Sequence, residues 1–179
     1  MGTRPGNRSG NRPGYRFAVG IVLALCAALS AAPAVAGDSV KAGKLVIFNA
    51  WARATPGYTG TAAAYVSIHN HGLTPDRLVG ASSPVASRVA LHATKYTDGV
   101  MRMLRLDDIS VEAGEKRILE PGGLHLMLTG LNRRLRTGER FPMVLRFKDS
   151  GEVTVTVEVM RVGAKGPEAR EGGGKHQRH

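Results

Sequence analysis

Apolar and polar residues alternate with a period of two over much of this chain, and the pattern is clearest near its end. Val153, Val155, Val157 and Val159 alternate with Thr154, Thr156 and Glu158. Successive side chains of a strand point to opposite faces, so this is a strand with one valine face and one polar face. Before it, Phe141, Met143, Leu145 and Phe147 alternate with Pro142, Val144, Arg146 and Lys148, and Asp149-Ser150-Gly151 supplies the turn between the two. The same reading predicts strands over Leu45–Ala52, Ala62–Ile68, Arg77–Ala81, Val89–His92, Val100–Leu106, Ile109–Val111 and Arg117–Leu119. Asn70-His71-Gly72, Thr97-Asp98-Gly99 and Ala113-Gly114-Glu115 punctuate them as turns. Val85–Val89, just after Pro84, reads as a short helical turn. Many short strands with regular turns and no sustained helical period predict an all-β, antiparallel sandwich or barrel in a single domain.

One strand departs from the pattern. After the turn Pro121-Gly122-Gly123, Leu124, Leu126 and Leu128 share one face, and His125 and Met127 share the other. A solvated strand face ordinarily carries Thr, Lys or Glu. A His-Met pair there is either half of a soft-metal site or the second face of a doubly buried strand with Met as filler.

Composition divides the chain into three. Residues 1–36 hold Arg4, Arg8, Arg12 and Arg16 and no acid. Phe17–Ala32 is an apolar run, and Pro33-Ala34-Val35-Ala36 follows with small residues in the A-x-A order. This is the order of a secretory signal peptide, with cleavage expected after Ala36. The run falls short of the roughly 20 residues of a spanning helix, so no membrane span is expected after cleavage. Cys26 is the only cysteine and lies inside this run, behind the large Leu25, which disfavours lipid attachment there. The exported chain would then have no disulfide framework, zinc-thiolate site or cysteine nucleophile. A short linker, 37–43, leads to the β-domain, 44–162. Residues 163–179 are rich in Gly, Lys, Arg and Glu and read as a disordered tail, with His176 and His179 as solvated residues.

Of the 25 basic residues, four lie in the leader, so 21 face 14 acidic ones beyond it, a net of +7. These charges are scattered, apart from Arg133-Arg134-Leu135-Arg136, and no aromatic residues interleave with them. Charge of this kind serves solubility and gives no case for a nucleic-acid partner.

The chemistry narrows on four residues. Ten residues separate His92 from Met103, 21 separate Met103 from His125, and Leu126 alone separates His125 from Met127. A thioether is soft, neutral and never has to lose a proton, and it favours Cu(I) over Zn(II), Mg(II) or Ca(II); imidazole accepts either oxidation state of copper. Two of each would surround Cu(I) with neutral donors. A blue-copper electron-transfer centre needs a thiolate, and zinc hydrolysis needs a carboxylate or Cys in the set, so neither is expected. Met101 lies on the same strand face as Met103 and reads as packing beside the site, with a reserve ligand as the alternative. His69 and His71 flank a turn and read as structural or solvated. Asp76, Asp98, Asp107 and Asp108 read as turn residues, and Trp51 and Tyr65 as core, with Trp51 a candidate shield for a copper site. No nucleophile elbow and no phosphate-cradling glycine loop is present.

His92, Met103, His125 and Met127 fit every gap of the motif H(M)x10Mx21HxM, and on this the chain resembles the periplasmic copper chaperone PCu(A)C family. Supporting stretches are Trp51-Ala52-Arg53-Ala54, Ala62-Ala63-Ala64-Tyr65, Asp98-Gly99-Val100-Met101-Arg102-Met103 and Pro121–Leu128. The optional Met after the first His is Ala93 here, which leaves four donors. The resemblance implies a cupredoxin-like Greek-key β-sandwich or barrel with Cu(I) near its surface. It also implies an exported, monomeric metallochaperone that is not an enzyme and helps load the binuclear copper site of cytochrome c oxidase. A copper-accepting oxidase subunit and a Sco-type thiol protein would be its partners. The competing expectation is an exported adhesion or ligand-binding module without a metal, its four residues apart or sealed in.

Overall fold

The computed structural model describes residues 39–57, 60–97 and 99–167, together with Gly2. The expected signal segment and the tail beyond 167, with His176 and His179, lie outside the described residues, as does Asp98. Within the described residues there are eleven strands and no helix. They are β1 (Val40–Ala42), β2 (Leu45–Arg53), β3 (Thr61–Asn70), β4 (Asp76–Ser82), β5 (Ala86–Thr97), β6 (Val100–Leu106), β7 (Ile109–Val111), β8 (Lys116–Ile118), β9 (Leu124–Leu131), β10 (Arg140–Phe147) and β11 (Gly151–Met160).

Seven of them close a barrel in the order β2-β11-β10-β4-β5-β9-β3, with β3 returning to β2. β11 and β2 run parallel and every other pair is antiparallel. Closure leaves these strands no free edge, and the non-sequential order is the Greek-key arrangement of a cupredoxin-like barrel. Alternation fills the interior. Val155, Val157 and Val159 from β11, Phe141, Met143 and Leu145 from β10, and Leu126 and Leu128 from β9 are all buried in one core.

The structure differs from the sequence reading at several places. Residues 86–89 belong to β5 and not to a helical turn, because Ala86, Arg88 and Val89 pair with Leu131, Thr129 and Leu128 of β9. The folded unit also takes in residues on either side of 44–162. β1 pairs with β2, and Ala164 is buried against Trp51 and Tyr65. Three residues are too few to show alternation, and a single alanine in a Gly/Lys stretch carries no pattern. Trp51 and Tyr65 are buried, yet in a small cluster separate from the main core.

A bulge causes that separation. The register of β2 on β3 shifts between Phe48 and Trp51, where Asn49 adopts a left-handed conformation (φ 52°). Asn tolerates that region better than most residues. The extra residue reverses the inward-outward phase of β2. Leu45 and Ile47 point into the core, and beyond the bulge Ala52 takes the inward place. Trp51 therefore turns outward, opposite Tyr65, with ring centroids 4.4 Å apart. The chain after β11 folds over this pair, fixed by the bond that Arg53 Nε donates to the Ala164 carbonyl at 2.9 Å.

Asp76 belongs to a strand and not to a turn. It is buried at the start of β4. Its Oδ1 accepts from the backbone N–H of Arg77 (2.7 Å) and of Asp149 (3.0 Å), and its Oδ2 from that of Ser150 (3.0 Å). Burial alone would raise this carboxyl. Hydrogen bonds from the Ser150 side chain and from the three backbone donors outweigh it and hold the group below the ordinary carboxylate value. Asp76→Ala strands those donors and is expected to cost about 2–3 kcal/mol in urea unfolding at pH 7. Since the folded pKa is depressed, the wild-type advantage is complete above the ordinary aspartate pKa of about 3.9 and disappears as the pH falls through the lower folded value.

Candidate metal centre

β5 lies between β6 and β9, and the ladders set the four candidate donors on one surface. His92 pairs directly with His125, and Ala90 with Met127. On the other side of β5, His92 pairs with Arg105 and Thr94 with Met103. Paired residues share a face, and so do residues two apart along a strand. His92, Met103, His125 and Met127 therefore occupy the outer face of three adjacent strands. The inner face at the same level holds Leu91 against Leu126, both buried in the core. The stripe runs diagonally, with Met127 level with position 90, the two imidazoles at 92 and Met103 at 94. The structure brings all four to one face, and they come from three separate segments.

Their environments differ along the stripe. His125 is buried, at 6% exposed, although it points away from the core. Met127 and His92 are half-buried, and Met103 is open at 60%. Ala63 of β3 pairs with Met127, so the floor beside this thioether carries only a methyl group. The Trp51–Tyr65 cluster adjoins on the same side through Ala63. That fits Trp51 as part of a wall, one strand removed from the donors. The doubly buried alternative for β9 does not hold at its outer end, where Thr129 is exposed.

The imidazole rings stand edge to face with centroids 5.7 Å apart. The orientation of His125 follows from the Pro121–Gly123 turn. The Gly123 carbonyl accepts from His125 Nδ1 at 3.1 Å and from the Thr94 N–H at 3.0 Å. A carbonyl only accepts, so Nδ1 carries the proton and Nε2 keeps its lone pair. Fixing the tautomer through a bond on the remote nitrogen is how histidine ligands are commonly prepared. The same oxygen ties the turn to β5 two residues beyond His92.

His92 carries the complementary signal. Its Nδ1 is buried and has no hydrogen-bond partner among the described residues. A buried polar atom without a partner costs about 1–3 kcal/mol and calls for an explanation. Burial, then His125, then Arg105 lower the pKa of His92, which keeps the ring neutral and its lone pair available. Two imidazoles with two thioethers, on a face whose strands contribute no carboxylate, suit a soft monovalent cation. They do not suit Mg(II), Ca(II) or hydrolytic Zn(II).

The remaining candidates separate. Met101 is not packing beside the site, since it is 65% exposed and paired with Tyr96, itself 72% exposed. The two-stranded ribbon that β5 and β6 form leaves nothing there to pack against. His69 and His71 stack with centroids 3.9 Å apart, but no third His, Cys, Asp or Glu among the described residues completes a group with them. The Gly123 carbonyl and Arg105 escaped the sequence reading. The Pro-Gly-Gly turn was visible, but the direction of its carbonyl was not.

A cupredoxin-like barrel that sets two histidines and two methionines on one outer face defines a PCuAC-type domain. The chain belongs to the LpqE-like family, described as putative lipoprotein LpqE-like, whose model matches residues 45–159. The "Putative lipoprotein Lxx21020" of Leifsonia xyli subsp. xyli is 34% identical over 128 residues, 71% of this chain and 73% of that one. The copper-bound PCuAC domain from PmoF2 superposes with a TM-score of 0.61 at 27% identity, over 69% of this chain and 98% of that domain. The solution structure of CuI-DR1885 from Deinococcus radiodurans gives 0.52 at 26%, over 72% and 83%.

The Gly123 contact makes the tautomer of His125 measurable. Long-range 1H–15N spectra of the metal-free protein at pH 7.5 are expected to show a protonated Nδ1 and a bare Nε2. The reverse assignment would contradict the arrangement described.

Proposed function

We propose that this protein is an exported metallochaperone that binds one Cu(I) through His92, Met103, His125 and Met127 and carries it to an acceptor without catalytic turnover. The observation that carries the reading is the register. Two ladders across three strands put these four donors, and no carboxylate from the same strands, on one outer face, with one imidazole nitrogen buried and unpartnered among the described residues. The copper in the PmoF2 domain and the Cu(I) in DR1885 support it from outside this chain. Thioethers suit a carrier because they hold Cu(I) less firmly than thiolates and release it without taking up a proton. The open Met103 end gives an acceptor access.

The basic–apolar–small order of residues 1–36 supports export, with cleavage after Ala36. The names of the family and of the Leifsonia relative include the word lipoprotein, but Leu25 before Cys26 argues against lipid attachment at that cysteine. In the described residues no helix is long and apolar enough to cross a membrane. The function-bearing domain is the β-unit of 44–162, extended to include Val40 and Ala164, with the residues beyond it as a tail. By its resemblance the chain delivers copper toward the binuclear site of cytochrome c oxidase, working as a monomer with a Sco-type thiol protein.

Titration against a chromophoric Cu(I) chelator under anaerobic conditions is expected to give one Cu(I) per chain. His125→Ala and Met127→Leu should each weaken binding by at least the roughly 10–100-fold that losing a mere outer-shell partner costs. Unchanged affinity in the variant lacking all four donors would remove the proposal.

A further inference from the structure

We infer that Met101 is the thioether through which copper leaves the site, a transfer ligand and not a resident one. The inference rests on the Cu(I) reading of the four donors and concerns what happens at its open end. Register fixes the geometry. Met101 pairs with Tyr96 and Met103 with Thr94, so both methionines lie on the outer face of β6 that also carries the site. Two residues along a strand advance about 7 Å. Met101 therefore extends the diagonal stripe by one step, from Met127 through the imidazole pair and Met103 toward the tip of the β5–β6 ribbon.

Exposure gives the direction. His125 is 6% exposed, Met103 60% and Met101 65%, and Met127 and His92 are half-buried, so the two methionines nearest the tip are the open donors. Neither methionine on β6 is held by packing. Across β5 on this face they meet only Thr94 and the 72% exposed Tyr96, which leaves both methionines open to solvent. A Met-x-Met pair on an open strand keeps two soft donors on long flexible stems within reach of one ion.

The step is a ligand exchange. Met103 stays bound as the pivot. A lone pair of Met101 Sδ forms a new bond to copper as the bond to Met127 Sδ, at the inner end of the stripe, lengthens and breaks. Copper remains monovalent throughout and no proton moves, because both thioethers are neutral before and after. An incoming donor then takes the places of His125 and His92 in turn, so that the ion sits on the exposed ribbon between that donor, Met103 and Met101, and further donors displace the two thioethers.

Met101→Leu keeps the volume and removes only the sulfur, at a position where nothing packs. In the full chain loaded with one Cu(I), this variant is expected to keep the wild-type affinity within about twofold. Its transfer to bathocuproine disulfonate, followed by stopped-flow absorbance, is expected to slow by about tenfold. In the wild type with 13C-labelled methionine methyl groups, one equivalent of Cu(I) should shift Met103 and Met127 fully and Met101 by a fraction. A Met101 methyl that stays still, together with an unchanged transfer rate in Met101→Leu, would overturn the inference. So would a loss of affinity as large as that of Met103→Leu, which would make Met101 a resident ligand. If the Met103 and Met127 methyl groups do not move, the copper site itself is wrong, and the transfer ligand falls with it.

Discussion

The pairing of β5 with β9, with His92 set directly across from His125, is the constraint on which the rest of the site depends. Its inner side is Leu91 against Leu126, in the core. Because the side-chain period of a strand is two, moving β9 by one residue would send Leu126 and Leu128 outward and His125 and Met127 inward. Hydrophobic burial of the leucines therefore holds the register that makes the donors meet. The chemistry on the outside is specified by packing on the inside.

Two local devices refine that placement. The Gly123 carbonyl accepts from the Thr94 N–H and the His125 ring together, so one oxygen joins the turn, the central strand and a donor. At the far side of the same surface, the bulge at Asn49 turns Trp51 out against Tyr65, where the chain after β11 covers both. These aromatic rings bury the outer face on one flank of Met127. The ribbon of β5 and β6 leaves the other flank open. The site is thus walled on one side and accessible on the other, which suits an ion that must be held and then surrendered.

Much of this was legible in the chain itself. The alternation in β10 and β11 marks those strands because one face of each is mainly apolar and the other mainly polar. The donor spacing was readable because the residue types are chemically unusual on a strand face. What could not be read had physical causes. β1 is too short to alternate. Residues 86–89 follow a proline and look like a turn until β9 is there to pair with them. Met101 looks like filler beside Met103, since its exposure depends on a ribbon that projects beyond its neighbours. Ala164 looks like part of a tail, since its burial depends on two rings about a hundred positions earlier.

By itself the sequence determined the class of fold, through the period of two, and the kind of metal chemistry, through neutral sulfur and nitrogen donors at fixed spacing. Both are local properties, set by residue type and by the intervals between residues. Only the tertiary structure decided that the donors share one outer face, that His125 presents Nε2, that His92 has a buried nitrogen without a partner, and that the Met103 end is the open one. Those depend on which strands lie side by side and in what register. That is settled by the packing of the leucines and valines beneath, which no single segment of the chain contains.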